Sequence, residues 1–351
     1  MNPAKKSFRP NLIAVILVAG LIAFLFYLVF YVDIAQVAKT LSQTNLVIYS
    51  FAFFSYILFT LCSALVWHSL LGSLAVKITR RKAFLFTWVG LFFDATVPQL
   101  GWSAEVSKTY LLSKDSNIES GRIGASVVGQ KIFTMTLTIV ALSLGLGLLL
   151  VRYSFPLIES LLIGLVLGLS ILTLIVVYYV SFKPSATKTL LNWAIKVAVF
   201  FRKSWSPQNF QSKAEAMLTS FHASIDQLKA KPKALIQPIS YAVVGFAFEV
   251  SVMFIAFAAL GEPVSVDVVL VVFTLTGTLQ TVGVAFVGLP ELVMSVTLWQ
   301  LGIDPSVAVS VALLTRLVNL WFRLVVSYGA LQWTGIKIIR QNKQNTTAFV
   351  S

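Results

Sequence analysis

The chain has 351 residues, of which 58% are hydrophobic and 11% are charged. An average soluble domain has about 25% charged residues, so this composition excludes a soluble globular protein and indicates a polytopic helical membrane protein. Several apolar runs exceed the roughly 20 residues that an α-helix needs to cross a bilayer. The formal net charge of +14 would be compatible with nucleic-acid binding, but its distribution over the loops, described below, argues against it.

The residue types that build metal and catalytic sites are scarce. The single cysteine, Cys62, lies in an apolar segment, so no internal disulfide can form. The two histidines, His68 and His222, are far apart in the sequence, and we expect neither a metal site nor a cofactor. No Gly-rich phosphate loop, nucleophile–base pair or carboxylate pair spaced for hydrolysis is present, so the residues do not indicate an enzyme.

The apolar runs predict six full membrane spans. The first run follows three cations but is too long for the core of a signal peptide, so we expect a retained span. The Phe-rich runs FAFFSY (51–56) and FLFTW (84–88) are interpreted as apolar surface that faces lipid or other helices. The predicted spans cover roughly 11–32, 45–71, 122–151, 157–181, 238–260 and 305–334.

Two further apolar segments, 83–113 and 268–302, are interrupted by proline and glycine and resume beside a glutamate. Backbone groups freed by a break within lipid must be satisfied by protein or by a water-filled cavity, and paired breaks point to a binding site. The second arms, 99–113 and 290–302, would extend only about 22 and 20 Å as helices. This favours two re-entrant hairpins entering from opposite faces; eight or more full spans are the alternative. The breaks and glutamates are Pro98, Gly101 and Glu105, and Gly288, Pro290 and Glu291.

The segment 182–237 is polar and basic. It has nine Lys or Arg residues against Glu215 and Asp226. Within it, the apolar residues of 190–205 recur at helical spacing among cations, which fits either an amphipathic helix on an anionic leaflet or a solvated linker helix. We therefore predict one integral membrane domain, 1–351, with a first half-repeat at 45–181, a basic cytoplasmic linker at 182–237 and a second half-repeat at 238–335.

The loops fall into two groups of opposite charge when they are assigned alternately to the two sides of the membrane. The group with both termini, 77–82, 108–122 and 182–237 sums to +18, and the other group sums to −3. The positive-inside rule predicts a cell-membrane protein with both termini in the cytoplasm. The excess positive charge is then a topology signal and a surface for lipid headgroups, and we expect no nucleic-acid partner.

Matching cations follow the two interrupted segments. Lys131 follows Glu105 by 26 residues and Arg316 follows Glu291 by 25, each about ten residues into the next predicted span. Because the two halves enter the membrane from opposite sides, this match predicts an inverted repeat. Helical spacing extends the match at i, i+3 and i+7, with Lys131, Thr134 and Thr138 in one half and Arg316, Asn319 and Arg323 in the other.

The two segments resemble the signatures of the lysylphosphatidylglycerol synthase transmembrane-region family, also called the flippase-like domain family. The chain departs from them at Lys108 and Lys131, where the family has arginine, and at Val284, where it has proline. Lysine lacks the bidentate geometry of arginine, so the first half would bind an anion less specifically. The positions that correspond to the signatures are Pro98, Gly101, Glu105, Lys108 and Lys131 in the first and Gly288, Glu291 and Arg316 in the second.

The resemblance covers nearly the whole chain and implies membrane-lipid handling. Some members of the family carry aminoacyl-phospholipids across the bilayer, and others lie beside or are fused to lipid- or sugar-transferring domains. The implied partners are membrane lipids, anionic or linked to a sugar, and a separate soluble transferase. The synthases place a soluble acyltransferase domain after the membrane region, whereas about 17 residues follow the last predicted span here, so we do not expect that activity in this chain.

Ionisable residues within the spans are candidate site residues, because each is costly to bury, by roughly 2.5–3.5 kcal/mol. Glu249 lies mid-span without a cation close in sequence and is interpreted as a proton carrier if no partner reaches it. Arg323 is its candidate partner, or else extends to the interface, and Asp94 either belongs to the site or caps backbone N–H groups at the break. The substrate-binding or gating candidates are Asp94, Glu105, Lys108, Lys131, Glu249, Glu291, Arg316 and Arg323.

Three functional hypotheses follow. The first is a flippase-like protein that translocates or binds a lipid, or a lipid-linked group, with an anionic headgroup through a polar midplane cavity. The second is a membrane subunit of an aminoacyl- or glycosyl-lipid transferase system. The third is a non-catalytic membrane scaffold, in which the Glu105–Lys131 and Glu291–Arg316 pairs only fix the packing of each hairpin on the next span.

Overall fold

A computed structural model of the chain describes residues 22, 24–96, 102–116, 118–152, 157–201, 208–281 and 288–334. Over these ranges all regular elements are helical, and the chain is an all-α polytopic membrane protein, as its composition predicts. In chain order the helices are α1 (Phe24–Tyr31), α2 (Ile34–Ser42), α3 (Leu46–Ser73), α4 (Arg80–Thr96), α5 (Ser103–Ser116), α6 (Ser120–Arg152), α7 (Leu157–Phe182), α8 (Pro184–Phe201), α9 (Gln208–Ala230), α10 (Ile236–Leu260), α11 (Val266–Thr281), α12 (Leu289–Gln300) and α13 (Pro305–Thr334).

Among the described residues, five helices are long and apolar enough to cross a membrane: α3, α6, α7, α10 and α13. They coincide with five of the six predicted spans. Most of the remaining predicted span, 11–32, lies outside the described residues; its end forms α1, which is bent by 96° from α2, and this pair would raise the count to six if it forms one broken span. Only 6% of the most apolar stretch of α7 is buried, against 50% for α13, so α7 is peripheral and α13 is central.

The two interrupted segments form helical hairpins, α4–α5 and α11–α12. Their arms have 17, 14, 16 and 12 residues and therefore extend only about 18–26 Å, less than the roughly 30 Å of a bilayer core. These lengths favour re-entrant hairpins over additional full spans. Pro98 and Gly101, the predicted breaks of the first hairpin, lie outside the described residues, whereas Gly288 and Pro290 are at the start of α12.

Helices α3 and α10 pack against each other along their lengths and run antiparallel. The Asn45 N–H donates to the Ala259 carbonyl (2.8 Å) at one end, and the Ser69 hydroxyl donates to the Gln237 side chain (3.3 Å) at the other. A Cβ at Gly245 would lie only 2.9 Å from a side-chain atom of α3, so glycine permits this close approach. The two helices form the centre from which both hairpins extend.

The helices of the two hairpins begin at corresponding positions in the two halves, and the helices before them end within one residue of correspondence. Because α3 and α10 are corresponding helices that run in opposite directions, their packing has the geometry that an inverted repeat requires. The exact half-repeat boundaries, 45–181 and 238–335, remain a prediction. Four corresponding pairs are each 186 residues apart: Ala75 and Gly261 after α3 and α10, Arg80 and Val266 at the starts of α4 and α11, Ser103 and Leu289 at the starts of α5 and α12, and Glu105 and Glu291.

Three of the basic segments meet at one end of the bundle, which we name the basic end. There, Gln227 of α9 donates to the Ser73 carbonyl at the end of α3 (3.0 Å), and Ser220 donates to Glu119 before α6. This grouping agrees with the charge count. That the basic end faces the cytoplasm remains a prediction. The segments that meet are 77–82, 108–122 and the described part of 182–237.

The linker contains α8 and α9, joined by a hydrogen bond between the Thr187 hydroxyl and His222 Nε2 (2.8 Å). Helix α9 buries Ile225 and Leu228 in the same apolar cluster as the end of α3, so this part of the linker belongs to the bundle. The predicted amphipathic helix at 190–205 corresponds to α8 as far as Phe201, and its position on a leaflet remains a prediction.

Candidate functional site

The second hairpin contains a buried ion pair between Glu291 and Arg316. Arg316 Nε donates to Glu291 Oε1 (2.9 Å), and the two side chains are only 4–5% exposed. The other carboxylate oxygen accepts the backbone N–H of Gly288 (2.8 Å), three residues earlier, so Glu291 also caps its own helix. Gly288 has φ +107°, a conformation that favours glycine. Pro290 is buried at the second position of α12, where no intrahelical N–H bond is lost.

The first hairpin contains the corresponding pair, Glu105 and Lys131, in a looser form. Lys131 Nζ lies 3.8 Å from Glu105 Oε1, and each side chain is 15% exposed. The Lys131 ammonium also lies 5.4 Å from the centre of the Trp102 ring, within cation–π range. Both glutamates are the third residue of their helices, and both cations are the twelfth residue of theirs. The pairing inferred from sequence spacing is therefore present in both halves.

Lys108 is a buried cation in the first hairpin, with 5% of its surface exposed. Its Nζ donates to Gln130 Oε1 (3.0 Å) and lies 5.4 Å from the Trp67 ring centre, but it forms no ion pair within the described ranges. Gln130 in turn donates to the Ser63 carbonyl and hydroxyl of α3. A Cβ at Gly90 would lie 3.2 Å from Lys108 Cγ, so this glycine in α4 leaves room for the lysine stem.

Arg323 joins the two halves of the chain. Its Nη1 lies 3.5 Å from Asp94 Oδ2 of α4, and its guanidinium lies near the Tyr56 hydroxyl on α3. Glu249 of α10 lies near the same guanidinium but forms no ion pair with it. That Arg323 is the partner of Glu249 therefore remains a prediction, whereas Asp94 pairs with a cation in addition to any role at the break.

An aromatic cluster surrounds this junction. The rings of Tyr56, Trp88 and Phe322, from α3, α4 and α13, have centres 6.2–6.5 Å apart. Tyr56 lies in the Phe-rich run at 51–56, which sequence reasoning treated only as apolar surface. Its hydroxyl shows that the run also contributes a polar group to the site. No sequence signal distinguished this tyrosine from its neighbours.

A π-helical segment, Leu317–Phe322, separates Arg316 from Arg323 in α13. Such bulges are rare and occur frequently at functional sites. Around it, Arg316 Nη2, Asn319 Oδ1 and Arg323 Nε are buried without a hydrogen-bond partner among the described residues. These unsatisfied groups leave donors and an acceptor available inside the membrane-spanning part of the protein.

The charged groups of the two halves form a series of neighbouring charges. Lys108 lies near Asp94, Glu105 and a second cation, Lys131. Arg323 contacts Asp94 (3.5 Å) and lies near a second cation, Arg316. Asp94 therefore lies between the first-half group and the second-half group. That Glu105, Lys131, Glu291 and Arg316 line one midplane cavity remains a prediction. Within the described ranges, no group of three or more His, Cys, Asp or Glu residues could hold a metal ion.

The whole-chain comparisons agree with these observations. The model of the family described as "Lysylphosphatidylglycerol synthase TM region" matches residues 11–327. The chain belongs to this family. It is 26% identical to a UPF0104 membrane protein of Methanocaldococcus jannaschii over 317 residues, covering 89% of this chain and 92% of that protein. It is 20% identical to a UPF0104 membrane protein of Pyrococcus horikoshii over 326 residues, covering 90% and 93% of the two chains. No solved structure matches the chain.

Membership in the lysylphosphatidylglycerol synthase TM-region family establishes a multi-pass membrane protein. The family match includes both hairpins and both ion pairs. The two UPF0104 relatives are described as membrane proteins, and their descriptions specify no substrate.

Proposed function

We propose that this protein binds a lipid, or a lipid-linked group, with an anionic headgroup among the intramembrane charges and translocates it across the bilayer. The observation that carries the proposal is the junction at Arg323. There, Asp94 of α4 in the first half pairs with Arg323 of α13 in the second half (3.5 Å), and Glu249 of α10 lies near the same guanidinium. Intramembrane charges contributed by both halves of a paired-hairpin protein are typical of a transporter's substrate site.

The available donors support an anionic ligand. Arg316 Nη2 and Arg323 Nε are buried without a partner in the part of the chain that the structure describes. Lys108 is held by a neutral amide and an aromatic ring, so its positive charge is not neutralised by a direct carboxylate contact there. Donors that carry positive charge form hydrogen bonds to phosphate oxygens that are roughly twice as strong as neutral ones.

The difference between the two ion pairs supports alternating access. The Glu291–Arg316 pair is tight and also caps α12, so it would keep the second hairpin fixed on α13. The Glu105–Lys131 pair is longer and more exposed, so a headgroup phosphate could displace Glu105 from Lys131 at a lower energetic cost. In this proposal the first pair opens and closes as a gate while the acyl chains stay in lipid.

A reconstituted lipid-translocation assay tests the proposal. Purified protein in liposomes would receive fluorescent phosphatidylglycerol, lysylphosphatidylglycerol or phosphatidylcholine, and a membrane-impermeant quencher would report the leaflet distribution. We expect faster translocation of at least one phosphate-bearing anionic lipid than in empty liposomes. Lys108→Gln should slow it at least about tenfold, equivalent to about 1.4 kcal/mol. Lys229→Gln, which removes an exposed cation of α9, is the matched control and should change the rate less than about twofold.

Equal rates in protein-containing and empty liposomes for every headgroup would contradict the proposal. The buried Glu291–Arg316 pair alone would also fit the scaffold hypothesis, in which charges only fix packing. The two are separated by comparing Lys108→Gln and Lys131→Gln for thermal stability and for translocation. Loss of translocation with unchanged stability favours the transporter, whereas loss of stability alone favours the scaffold.

A further inference from the structure

A cavity of about 440 Å³ lies at the basic end, between the end of α3 and the start of α10. None of its lining residues belongs to the intramembrane charge series described above. Its walls carry two cations and five uncharged or weakly basic polar side chains and contain no carboxylate. The cations are Arg80 and Lys233, and the other polar residues are His68, Ser69, Ser73, Gln237 and Tyr241.

Local structure holds the two cations at this cavity. Helix α3 ends in a Schellman turn with Ala75 at φ +58°, and His68 Nε2 bonds to the Ile78 carbonyl (3.0 Å), which fixes the short connection to Arg80. On the other side, the 3₁₀ turn Pro232–Leu235 carries Lys233 at the start of α10. Neither Arg80 nor Lys233 forms an ion pair with a carboxylate among the described residues.

The polar groups of the cavity are already oriented. The Ser69 hydroxyl donates to Gln237 Oε1 (3.3 Å), and Gln237 Nε2 donates to the Tyr241 hydroxyl (3.2 Å). The Tyr241 O–H therefore remains available as a donor. A concave surface with two unneutralised cations and a hydroxyl donor fits the oxygens of a phosphate group, and basic pockets between membrane helices bind anionic lipid headgroups.

We propose that this cavity binds the phosphate-bearing headgroup of an anionic membrane lipid, as a site separate from the translocation site. The position supports a lipid rather than a soluble phosphate, because the cavity lies where α3 and α10 leave the apolar part of the bundle. The lipid would then bridge the two central helices at their basic end, with Arg80 contributed by the first half of the chain and Lys233 by the linker.

Lipid binding by native mass spectrometry tests this site without reference to transport. The delipidated full chain in detergent would be titrated with phosphatidylglycerol, with phosphatidylcholine as the zwitterionic reference. The variant R80Q/K233Q should weaken phosphatidylglycerol binding at least about tenfold. The variant R81Q/K231Q removes two neighbouring exposed cations that do not line the cavity and should change affinity less than about twofold. Equal losses in the two variants, or no loss in either, would overturn the proposal.

Two further arms make the result decisive. Gly72 lines the cavity, and a Cβ added there would have no atom within 4 Å. Gly72→Leu should therefore fill the cavity while keeping both cations, and it too should weaken phosphatidylglycerol binding. Unchanged binding in that variant would mean that the lipid binds to the surface cations without entering the cavity, and it would overturn the proposal. Inorganic phosphate and glycerol phosphate should compete only weakly. Competition at the same concentration as the lipid would assign the site to a free phosphate instead of a lipid.

Discussion

The two hairpins place a glutamate and a cation at equivalent positions but use them differently. In the second hairpin the Glu291–Arg316 contact is 2.9 Å, nearly inaccessible to solvent and coupled to the helix cap at Gly288. In the first, the Glu105–Lys131 contact is 3.8 Å and about three times as exposed. The repeated sequence pattern therefore specifies where the charges lie but not how tightly they are held.

The chemistry of the cations explains part of the difference. Arginine presents a planar fork that satisfies a carboxylate in a fixed geometry, whereas lysine is a point charge on a flexible stem. The first half adds a second buried cation, Lys108, held by Gln130, and the position 186 residues later is Met294. The first half thus has a buried cation without a direct carboxylate contact and a looser ion pair, and the second half has a closed pair.

The largest expected effect comes from breaking the closed pair. Arg316→Gln should destabilise the protein by about 3–5 kcal/mol, because it leaves Glu291 as an uncompensated buried charge. Lys131→Gln should cost less than Arg316→Gln, because its contact with Glu105 is longer and both side chains are 15% exposed. Thermal unfolding of both variants in detergent, beside wild type, measures the difference. Equal destabilisation would mean that the two pairs have the same role.

A double-mutant cycle sharpens this prediction. If loss of the Glu291–Arg316 contact causes the destabilisation, the double variant Glu291→Gln/Arg316→Gln should lose less stability than the sum of the losses in the two single variants. The same cycle on Glu105 and Lys131 should give a coupling energy near zero. Additive losses at Glu291 and Arg316 would indicate that each side chain acts through other partners, such as the cap at Gly288.

A smaller effect is expected where the halves pack against each other. Helix α6 of the first half approaches α11 of the second at Gly145, where an added Cβ would lie 2.9 Å from Val271 Cγ2 and 3.3 Å from its backbone nitrogen. Gly145→Ala should therefore cost about 1–3 kcal/mol through overpacking. Gly147, two residues further along α6, has nothing within 4 Å of the added Cβ, and Gly147→Ala is the matched control. Comparable stability of the two variants would mean that α6 and α11 are free to separate.

The sequence predicts the membrane class, five described spans and both ion pairs, because hydropathy and helical spacing are local properties. It does not predict the contacts between distant segments. Asp94 and Arg323 are 229 residues apart, and nothing local distinguishes a cap at a broken helix from an ion-pair partner. The position of Tyr56 near Arg323 could not be predicted for the same reason, since an aromatic run does not indicate which hydroxyl lies near a cation of another helix.

The role of Lys108 illustrates a second limit. The family resemblance identifies its position, but the side chains that hold it are neutral and come from two other helices, Gln130 from α6 and Trp67 from α3, while Gly90 of α4 leaves room for its stem. Charge counting finds acids and bases, whereas amides and rings near a cation become visible only once the helices are packed. The predicted convergence of Glu105, Lys131, Glu291 and Arg316 on one cavity likewise depends on how the helices pack and cannot be read from the sequence alone.

The smallest expected effect concerns the ends of the two central helices. Both end in a Schellman turn that contains one residue with positive φ. This residue is Ala75 after α3 and Gly261 after α10. Alanine is strained in this conformation and glycine is not, so Ala75→Gly should stabilise the protein by about 1 kcal/mol and Gly261→Ala should destabilise it by about the same amount. Because the substitutions act at opposite ends of the bundle, the double variant should unfold close to the wild-type temperature. A loss of stability in Ala75→Gly would mean that the backbone freedom gained by the unfolded chain outweighs the strain relieved in the folded chain. The two helix ends would then have equivalent geometry but would differ in what they contribute to stability.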